Sequence, residues 1–107
     1  MTLRLKNESE YIGKKGQTNW WKWTVFLEAD NEKELDDVQF VIYHLHSTFT
    51  PPIVKVTIRT GGFPLTRNGW GTFVISAKVV FKSKKDPLIL ENELEFQNIP
   101  ISAPRKP

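Results

Sequence analysis

The chain has 107 residues, which is enough for one domain with a single hydrophobic core. It contains no cysteine, which excludes disulfides and thiolate metal sites and fits a reducing compartment. No apolar run approaches the roughly 20 residues of a membrane helix, and the net charge of +3 is too small to indicate nucleic-acid binding by itself. We therefore expect a soluble intracellular module without membrane contact, nucleic acid or cofactor.

The expected organisation is a single domain over residues 1–107. Its core spans about residues 16–96, and residues 97–107 are predicted to form a linker-like tail, because SAPRKP at 102–107 is polar and rich in proline. The chain could equally be a segment of a longer protein.

The first part of the chain predicts an edge strand followed by polar loops. Leu3 and Leu5 alternate with charged residues, which discourage aggregation at a sheet edge. The polar stretch from Asn7 to Gln17 is expected to be a loop. A second, acidic loop is expected from Glu28 to Asp37, with a short helix conceivable at Glu32 to Leu35.

Two strands with large side chains on both faces are expected, one between these two loops and one after the acidic loop. In residues 20–27, Trp21 and Trp23 are predicted to face the core, whereas the position of Trp20 stays open. Residues 40–45 alternate large groups on both faces, which indicates a central strand. Pairing must stop near Pro51-Pro52, because proline donates no main-chain hydrogen bond.

The remainder predicts further short strands separated by turns. They are a half-buried strand over Val54, Val56 and Ile58, turns at Gly61-Gly62, Asn68-Gly69 and Ser83 to Pro87, an extended piece around Phe63 to Thr66, a long strand from Phe73 to Phe81, and a last strand from Leu88 to Phe96. Because no segment shows sustained helical periodicity, the predicted fold is all-β, an Ig-like antiparallel β-sandwich.

The loop that follows the central strand and the loop at residues 67–73 are expected to meet at one end of the sandwich and form a ligand pocket. Loops at the ends of rigid strands commonly carry binding groups. No Asp or Glu occurs between Asp37 and Asp86, so this span has no carboxylate to pair with a buried ammonium. A neutral ligand is therefore favoured, although a carboxylate from residues 28–37 could still reach the pocket in space.

Two pentapeptides resemble motifs of the YEATS domain family. They are LHSTF at Leu45–Phe49 and GWGTF at Gly69–Phe73, in the order and at about the spacing that the family shows. Trp23–Phe26 and Val79–Lys82 are similar to the family's W-x-V-F strand and to its closing strand. The resemblance extends from about Gly16 to Phe96, with the compact prokaryotic branch as the better match.

The resemblance implies an Ig-like sandwich that binds acylated lysine, chiefly acetyl- and crotonyl-lysine on histone tails, without catalysing a reaction. It implies that the Thr48 hydroxyl bonds the acyl amide and that Phe49 and Trp70 enclose the flat acyl group. The main-chain N–H of Trp70 matches the donor to the acyl carbonyl. The remaining pocket wall is implied for His46, Gly69 and Phe73. The family's T-H pair is replaced here by Trp20-Trp21-Lys22.

Other interpretations of these residues stay open. His44 and His46 could be two zinc ligands, although the sequence shows no clear third. Phe49 and Phe73 could simply be core residues. The whole domain could be a scaffold whose pocket is filled by its own Trp20 or Phe63, or a carbohydrate-binding module with an exposed flat row of tryptophans. A Ser–His dyad is disfavoured, because Ser47 directly follows His46 and neighbouring strand residues point to opposite faces.

Overall fold

Alternating apolar and polar residues fold this chain into seven strands and one 3₁₀-helix in the computed structural model, which describes residues 3–97. The elements are β1 (Leu3–Lys15), β2 (Thr18–Ala29), the 3₁₀-helix (Glu32–Asp37), β3 (Val38–His44), β4 (Ile53–Val56), β5 (Leu65–Gly69), β6 (Val74–Phe81) and β7 (Leu88–Glu93). They form two antiparallel sheets with the strand orders β1-β2-β5 and β4-β3-β6-β7. This confirms the predicted Ig-like antiparallel β-sandwich. Of the linker-like tail predicted for residues 97–107, the part at 98–107 lies outside the described residues.

One hydrophobic core lies between the two sheets. It contains Trp23 and Val25 of β2, Val41 of β3, and Ile75 and Val79 of β6, each at most 1% exposed. Burial of a large apolar side chain contributes roughly 1.5–3 kcal/mol, so these strands hold the sandwich together. The alternation predicted for residues 20–27 and for the long strand ending at Phe81 is therefore confirmed.

Trp21 shares the inward face of β2 but lies at the margin of the core. It is only half-buried, stacks on Phe96 with ring centroids 4.7 Å apart, and donates its indole N–H to the main-chain oxygen of Gln97 at 2.9 Å. Its indole needs this partner because a buried N–H without an acceptor is costly. Trp21 thus fixes the segment after β7 rather than filling the centre of the core.

The prediction of a loop from Asn7 to Gln17 is wrong, because β1 continues to Lys15 and pairs with β2. The polar side chains in this strand bond the segment that follows β7. The Asn7 side chain donates to the main-chain oxygen of Glu95 at 2.9 Å, and the main-chain N–H of Gln97 donates to Ser9 Oγ at 2.6 Å. The polar side chains of β1 thus bond the segment after β7, and such contacts cannot be predicted from the alternation of apolar and polar residues.

Two further local predictions are corrected. Ile58 does not continue the half-buried strand, since β4 ends at Val56 and Ile58 is 68% exposed. Asn68-Gly69 is not a turn, because these residues pair with Lys22 and Trp21 in the β2–β5 ladder. The bend follows instead at Trp70-Gly71.

The central position predicted for the strand over residues 40–45 is confirmed, since β3 lies between β4 and β6. The conceivable helix in the acidic segment is also present, as a 3₁₀-helix that begins after Asn31 with a capping box completed by Glu34. After His44 the chain leaves the sheet. The main-chain N–H of Leu45 donates to the oxygen of Pro52 at 2.7 Å, and the Thr50-Pro51 peptide bond is cis.

Asp37 fastens the end of the sandwich opposite the loop that follows β3. Its carboxylate accepts hydrogen bonds from the Ser83 hydroxyl at 2.7 Å and from the Ser83 main-chain N–H at 3.1 Å, and Lys85 Nζ lies 3.6 Å away. The hydroxyl bond, followed by the positive charge of Lys85, lowers the pKa of Asp37. This end of the sandwich is therefore closed by a hydrogen-bonded turn.

Tyr43 connects the two sheets through a buried hydrogen bond. Its hydroxyl donates to the main-chain oxygen of Phe63 at 2.6 Å, and both side chains are at most 1% exposed. Burial raises the pKa of Tyr43, so the phenol stays a donor. Phe63 has a φ of +56°, and the preceding Gly62 (φ +86°) has no room for a Cβ, which would stand 2.2 Å from the oxygen of Leu27. The Tyr43 bond therefore holds a strained segment against the core.

We expect Tyr43→Phe to lower the free energy of unfolding by about 1–3 kcal/mol, because it removes the buried donor to the Phe63 oxygen. Urea denaturation followed by tryptophan fluorescence measures the change. Tyr11→Phe is the matched control, since it removes a hydrogen bond to Asn19 Oδ1 at 2.8 Å at a half-buried position. The control should lose less than Tyr43→Phe, and equal losses would contradict a special role for the buried bond.

Candidate functional site

The two predicted loops meet at one end of the sandwich and enclose a cavity of about 410 Å³. This cavity, called the loop cavity below, is lined by Trp20, His46 and residues 48–50 and 68–73. Its walls come from the segment after β3, the end of β5 with the segment that leads to β6, and the outer face of β2. The volume lies in the range of small-molecule sites.

The structure places all six residues that the sequence suggested for the pocket around this cavity. They are His46, Thr48, Phe49, Gly69, Trp70 and Phe73. Their role in binding a ligand stays a prediction, but their common position around one cavity is a finding about the fold.

Phe49 and Phe73 form the inner wall and also touch the core. Their ring centroids lie 5.5 Å apart, and both rings stand nearly perpendicular to buried Trp23 at 5.9 and 6.0 Å. Each phenylalanine is half-buried and lines the cavity. Phe49 and Phe73 are therefore both core and pocket residues, because one side of each ring packs against Trp23 and the other lines the cavity.

Trp70 is the exposed aromatic side of the loop cavity. It follows the end of β5 and is 63% exposed, so its indole is not part of the core. The neighbouring Gly69 is buried, and a Cβ there would stand 3.2 Å from Trp23 Nε1 and 3.8 Å from Phe49 Cζ. Glycine at this position keeps the backbone of β5 close to the buried indole and leaves the cavity open.

His46 prepares the Thr48 hydroxyl as a hydrogen-bond acceptor. The main-chain N–H of Thr48 donates to His46 Nδ1 at 3.2 Å, so Nδ1 carries no proton in this arrangement. Thr48 Oγ1 lies 3.0 Å from the same nitrogen, and in this tautomer its hydroxyl donates to Nδ1 as the second arm of a bifurcated contact. The lone pairs of Thr48 Oγ1 are then available to a donor in the cavity. The loop is further closed by the bond from the Phe49 N–H to the His46 oxygen at 3.0 Å.

The loop cavity has no Asp, Glu, Lys or Arg among its lining residues. The acidic segment before β3 does not supply a carboxylate, because none of its side chains lines the cavity. Asp30 bonds Arg4 at 2.9 Å, and Asp36 bonds Arg59 at 2.9 Å. The cavity thus combines aromatic walls with neutral hydrogen-bonding groups, which suits a neutral planar ligand.

The zinc interpretation of His44 and His46 finds no third ligand near them. Among residues 3–97, no three or more His, Cys, Asp or Glu side chains stand together in a way that could hold a metal ion. His44 ends β3, whereas His46 lies in the loop and bonds Thr48. No helix in the described range has the length and apolar character needed to cross a membrane.

The sequence leaves the position of Trp20 open, and the structure places it in the lining of the loop cavity. Strand alternation places Trp20 on the outer face of β2, away from the core, and the pairing of Trp21 with Gly69 puts it beside Trp70. The signal is thus the register between β2 and β5, which the sequence alone does not provide. Thr50, Asn68, Gly71 and Thr72 also line the cavity and were not singled out as site residues.

Comparison with solved structures finds the same fold in YEATS domains of yeast. The yeast Yaf9 YEATS domain bound to H3K27ac superimposes with a TM-score of 0.72 at 24% identity, covering 92% of this chain and 75% of that chain. The Yaf9 YEATS domain recognizing an H3K122suc peptide gives a TM-score of 0.67 at 23% identity, covering 89% of this chain and 74% of that chain.

Sequence comparison agrees with this structural likeness. The chain is 30% identical over 69 residues to the Protein AF-9 homolog of Saccharomyces cerevisiae and to that of Eremothecium gossypii. These matches cover 64% of this chain but only 30% and 32% of the relatives, so the chain spans about a third of their length. The family model of the prokaryotic YEATS domain matches residues 21–95. The chain therefore belongs to the prokaryotic YEATS domain family.

Proposed function

We propose that this chain is a non-enzymatic binding module that recognises acylated lysine, in a peptide or protein, within the loop cavity. The observation that carries the proposal is the Thr48 hydroxyl, oriented by His46 at the edge of an aromatic cavity without carboxylates. Such a site offers stacking surface for the plane of a secondary amide and a defined acceptor for its N–H.

An acyl-lysine amide can use each wall of the loop cavity. Its plane would lie between Phe49 and Trp70, where aromatic stacking contributes roughly 0.5–1.5 kcal/mol beyond burial. Its N–H would donate to Thr48 Oγ1. Its carbonyl would accept from the main-chain N–H of Trp70, the first residue beyond β5. An amide with either group left unpaired would lose about 1–3 kcal/mol, so the two partners together select an amide.

The structural relatives support this assignment by analogy. Yaf9 YEATS domains are described with H3K27ac and H3K122suc peptides, both of which carry an acylated lysine. Acetyl- and crotonyl-lysine are the acyl groups proposed for this chain. Because the chain spans only about a third of the curated relatives, their further partners are not carried over. The intracellular location expected from the sequence stays a prediction.

Two features of the loop cavity argue against the rival functions. A scaffold was expected to fill its pocket with Trp20 or Phe63, but Phe63 is a core residue at 1% exposure and Trp20 forms a wall of an open cavity. A carbohydrate module was expected to show a flat exposed row of tryptophans. Of the four tryptophans, all within the described range, only Trp70 is exposed.

The proposal predicts that the module prefers a neutral acylated lysine to lysine itself. The free ammonium would lose hydration in a cavity without carboxylates and would lack the carbonyl that accepts the main-chain donor. We expect discrimination of more than about 2 kcal/mol, or roughly thirtyfold, with an absolute dissociation constant that is micromolar or weaker. Calorimetry with peptides that differ only in acetyl, crotonyl or no modification measures both quantities.

Equal binding of acylated and unmodified peptides at physiological salt would show that general peptide charge governs recognition. Binding of neither peptide would favour the scaffold interpretation or a different ligand. Either result would remove the acyl-lysine proposal.

Trp70→Ala should weaken binding of the acylated peptide by at least about 1–2 kcal/mol, because stacking and burial on one side of the acyl group are lost. The variant should stay folded, since Trp70 is 63% exposed on a bend. Ile89→Ala is the control, because Ile89 is similarly exposed at 58% but lies on β7, away from the loop cavity. Unchanged affinity in folded Trp70→Ala would place the site elsewhere, and circular dichroism verifies that both variants are folded.

A further inference from the structure

Trp20 and Lys15 form a pair at the wall of the loop cavity. Trp20 lies on the outer face of β2 and lines the cavity. Lys15 ends β1, pairs with Thr18 next to the hairpin turn, and places its Nζ 4.7 Å from the centroid of the Trp20 ring. A cation at this distance over an indole is held by the ring quadrupole. A positive charge is therefore positioned beside a cavity that has no charged lining residue.

The charged groups around this pair do not neutralise it inside the cavity. On β1, Glu10 lies opposite Lys22 of β2, and Lys14 lies opposite Asn19. On the other sheet, Glu93 of β7 lies opposite Val74, just beyond Phe73. None of these charged residues lines the loop cavity, whereas the Lys15 ammonium lies over the Trp20 ring that forms one of its walls.

We propose that Lys15 and Trp20 together determine the specificity of the loop cavity for acylated over unmodified lysine. The Trp20 indole supplies additional wall contact to the acyl group, and the Lys15 ammonium repels the ammonium of an unmodified lysine. This inference rests on the proposed function. The cavity lacks a carboxylate that could pair with an ammonium, and the Lys15 ammonium in addition repels one. The discrimination between acylated and unmodified lysine therefore depends on the Lys15 side chain.

Lys15 acts differently on an unmodified lysine and on an acylated lysine at the same place in the loop cavity. An unmodified lysine in the cavity brings its ammonium to a wall, the Trp20 ring, that carries a like charge 4.7 Å from its centroid. Charges closer than about 8 Å, one Debye length at physiological salt, are only partly screened. Lys15 is exposed, so solvent screens part of this repulsion and its contribution to discrimination is modest. Acylation removes the charge of the ligand, so the acylated form meets no repulsion and keeps the contact with the indole.

The experiment measures the ratio of dissociation constants for unmodified and acylated ligand in charge variants of the whole chain. The ligands are the minimal compounds Nα-acetyl-lysine methylamide and its Nε-crotonyl form, which exclude effects of flanking peptide residues. Lys15→Glu should lower the ratio about threefold to tenfold, mainly through tighter binding of the unmodified ligand. Lys15→Met keeps the aliphatic stem over Trp20 and should give an intermediate ratio.

Lys6→Glu is the matched control, since it makes the same change in net charge on the same strand. Lys6 pairs with Phe26 and lies nine residues before Lys15 in β1, about 30 Å away at 3.3 Å per residue. The control should leave the ratio unchanged. Trp20→Ala should weaken binding of the crotonyl ligand several-fold, because one wall of the cavity is removed. Circular dichroism of each variant verifies the fold.

The outcomes separate this inference from the proposed function. If the wild-type chain binds the crotonyl ligand selectively but Lys15→Glu keeps the same ratio, the repulsion by Lys15 is refuted and the acyl-lysine function stands. If Lys6→Glu lowers the ratio as much as Lys15→Glu, net charge rather than the Lys15–Trp20 pair is responsible, and the inference is also refuted. If Trp20→Ala binds the crotonyl ligand as tightly as wild type, the indole is not a wall for the acyl group. If the wild-type chain binds neither ligand, the proposed function fails, and the inference fails with it.

Discussion

The packing of Trp23 against Phe49 and Phe73 is the contact on which the proposed site depends. The indole is 1% exposed in the core, and its edge-to-face contacts reach one phenylalanine from each of the two loops. Core packing and site geometry are therefore coupled through one side chain. Because the interior of a protein is close-packed, the two rings cannot shift independently, and the inner wall of the loop cavity is formed before a ligand arrives.

The polar part of the site is organised by a different means. The loop after β3 contains no regular structure, yet its imidazole and hydroxyl are fixed to each other and to the backbone by bonds at 3.0 and 3.2 Å. Both bonds use His46 Nδ1, which accepts from the main-chain N–H of Thr48. Asp30, Asp36 and Asp37 of the segment before β3 are meanwhile engaged with Arg4, Arg59 and Ser83. The site is thus aromatic, neutral and supplied with one oriented acceptor.

Sequence patterns predicted the elements whose stability comes from alternate burial, and missed those fixed by polar contacts between distant segments. The strand ending at Phe81 follows directly from its alternation, and the six expected site residues follow from two short motifs. β1 was missed beyond Leu5, because Asn7 and Ser9 bond a segment almost ninety residues later in the chain. Trp20 was left open because its place at the cavity depends on the register of β2 against β5.

The central claim is that the loop cavity, and no other surface, receives an acylated lysine. A titration of the ¹⁵N-labelled domain with a crotonyl-lysine peptide, followed by heteronuclear NMR, tests it most directly. The account predicts shift changes concentrated in the main-chain signals of residues 46–50 and 68–73 and in the indole N–H signals of Trp20 and Trp70. Changes confined to another surface, such as the outer face of β4-β3-β6-β7, would contradict it, as would the absence of any change at millimolar peptide.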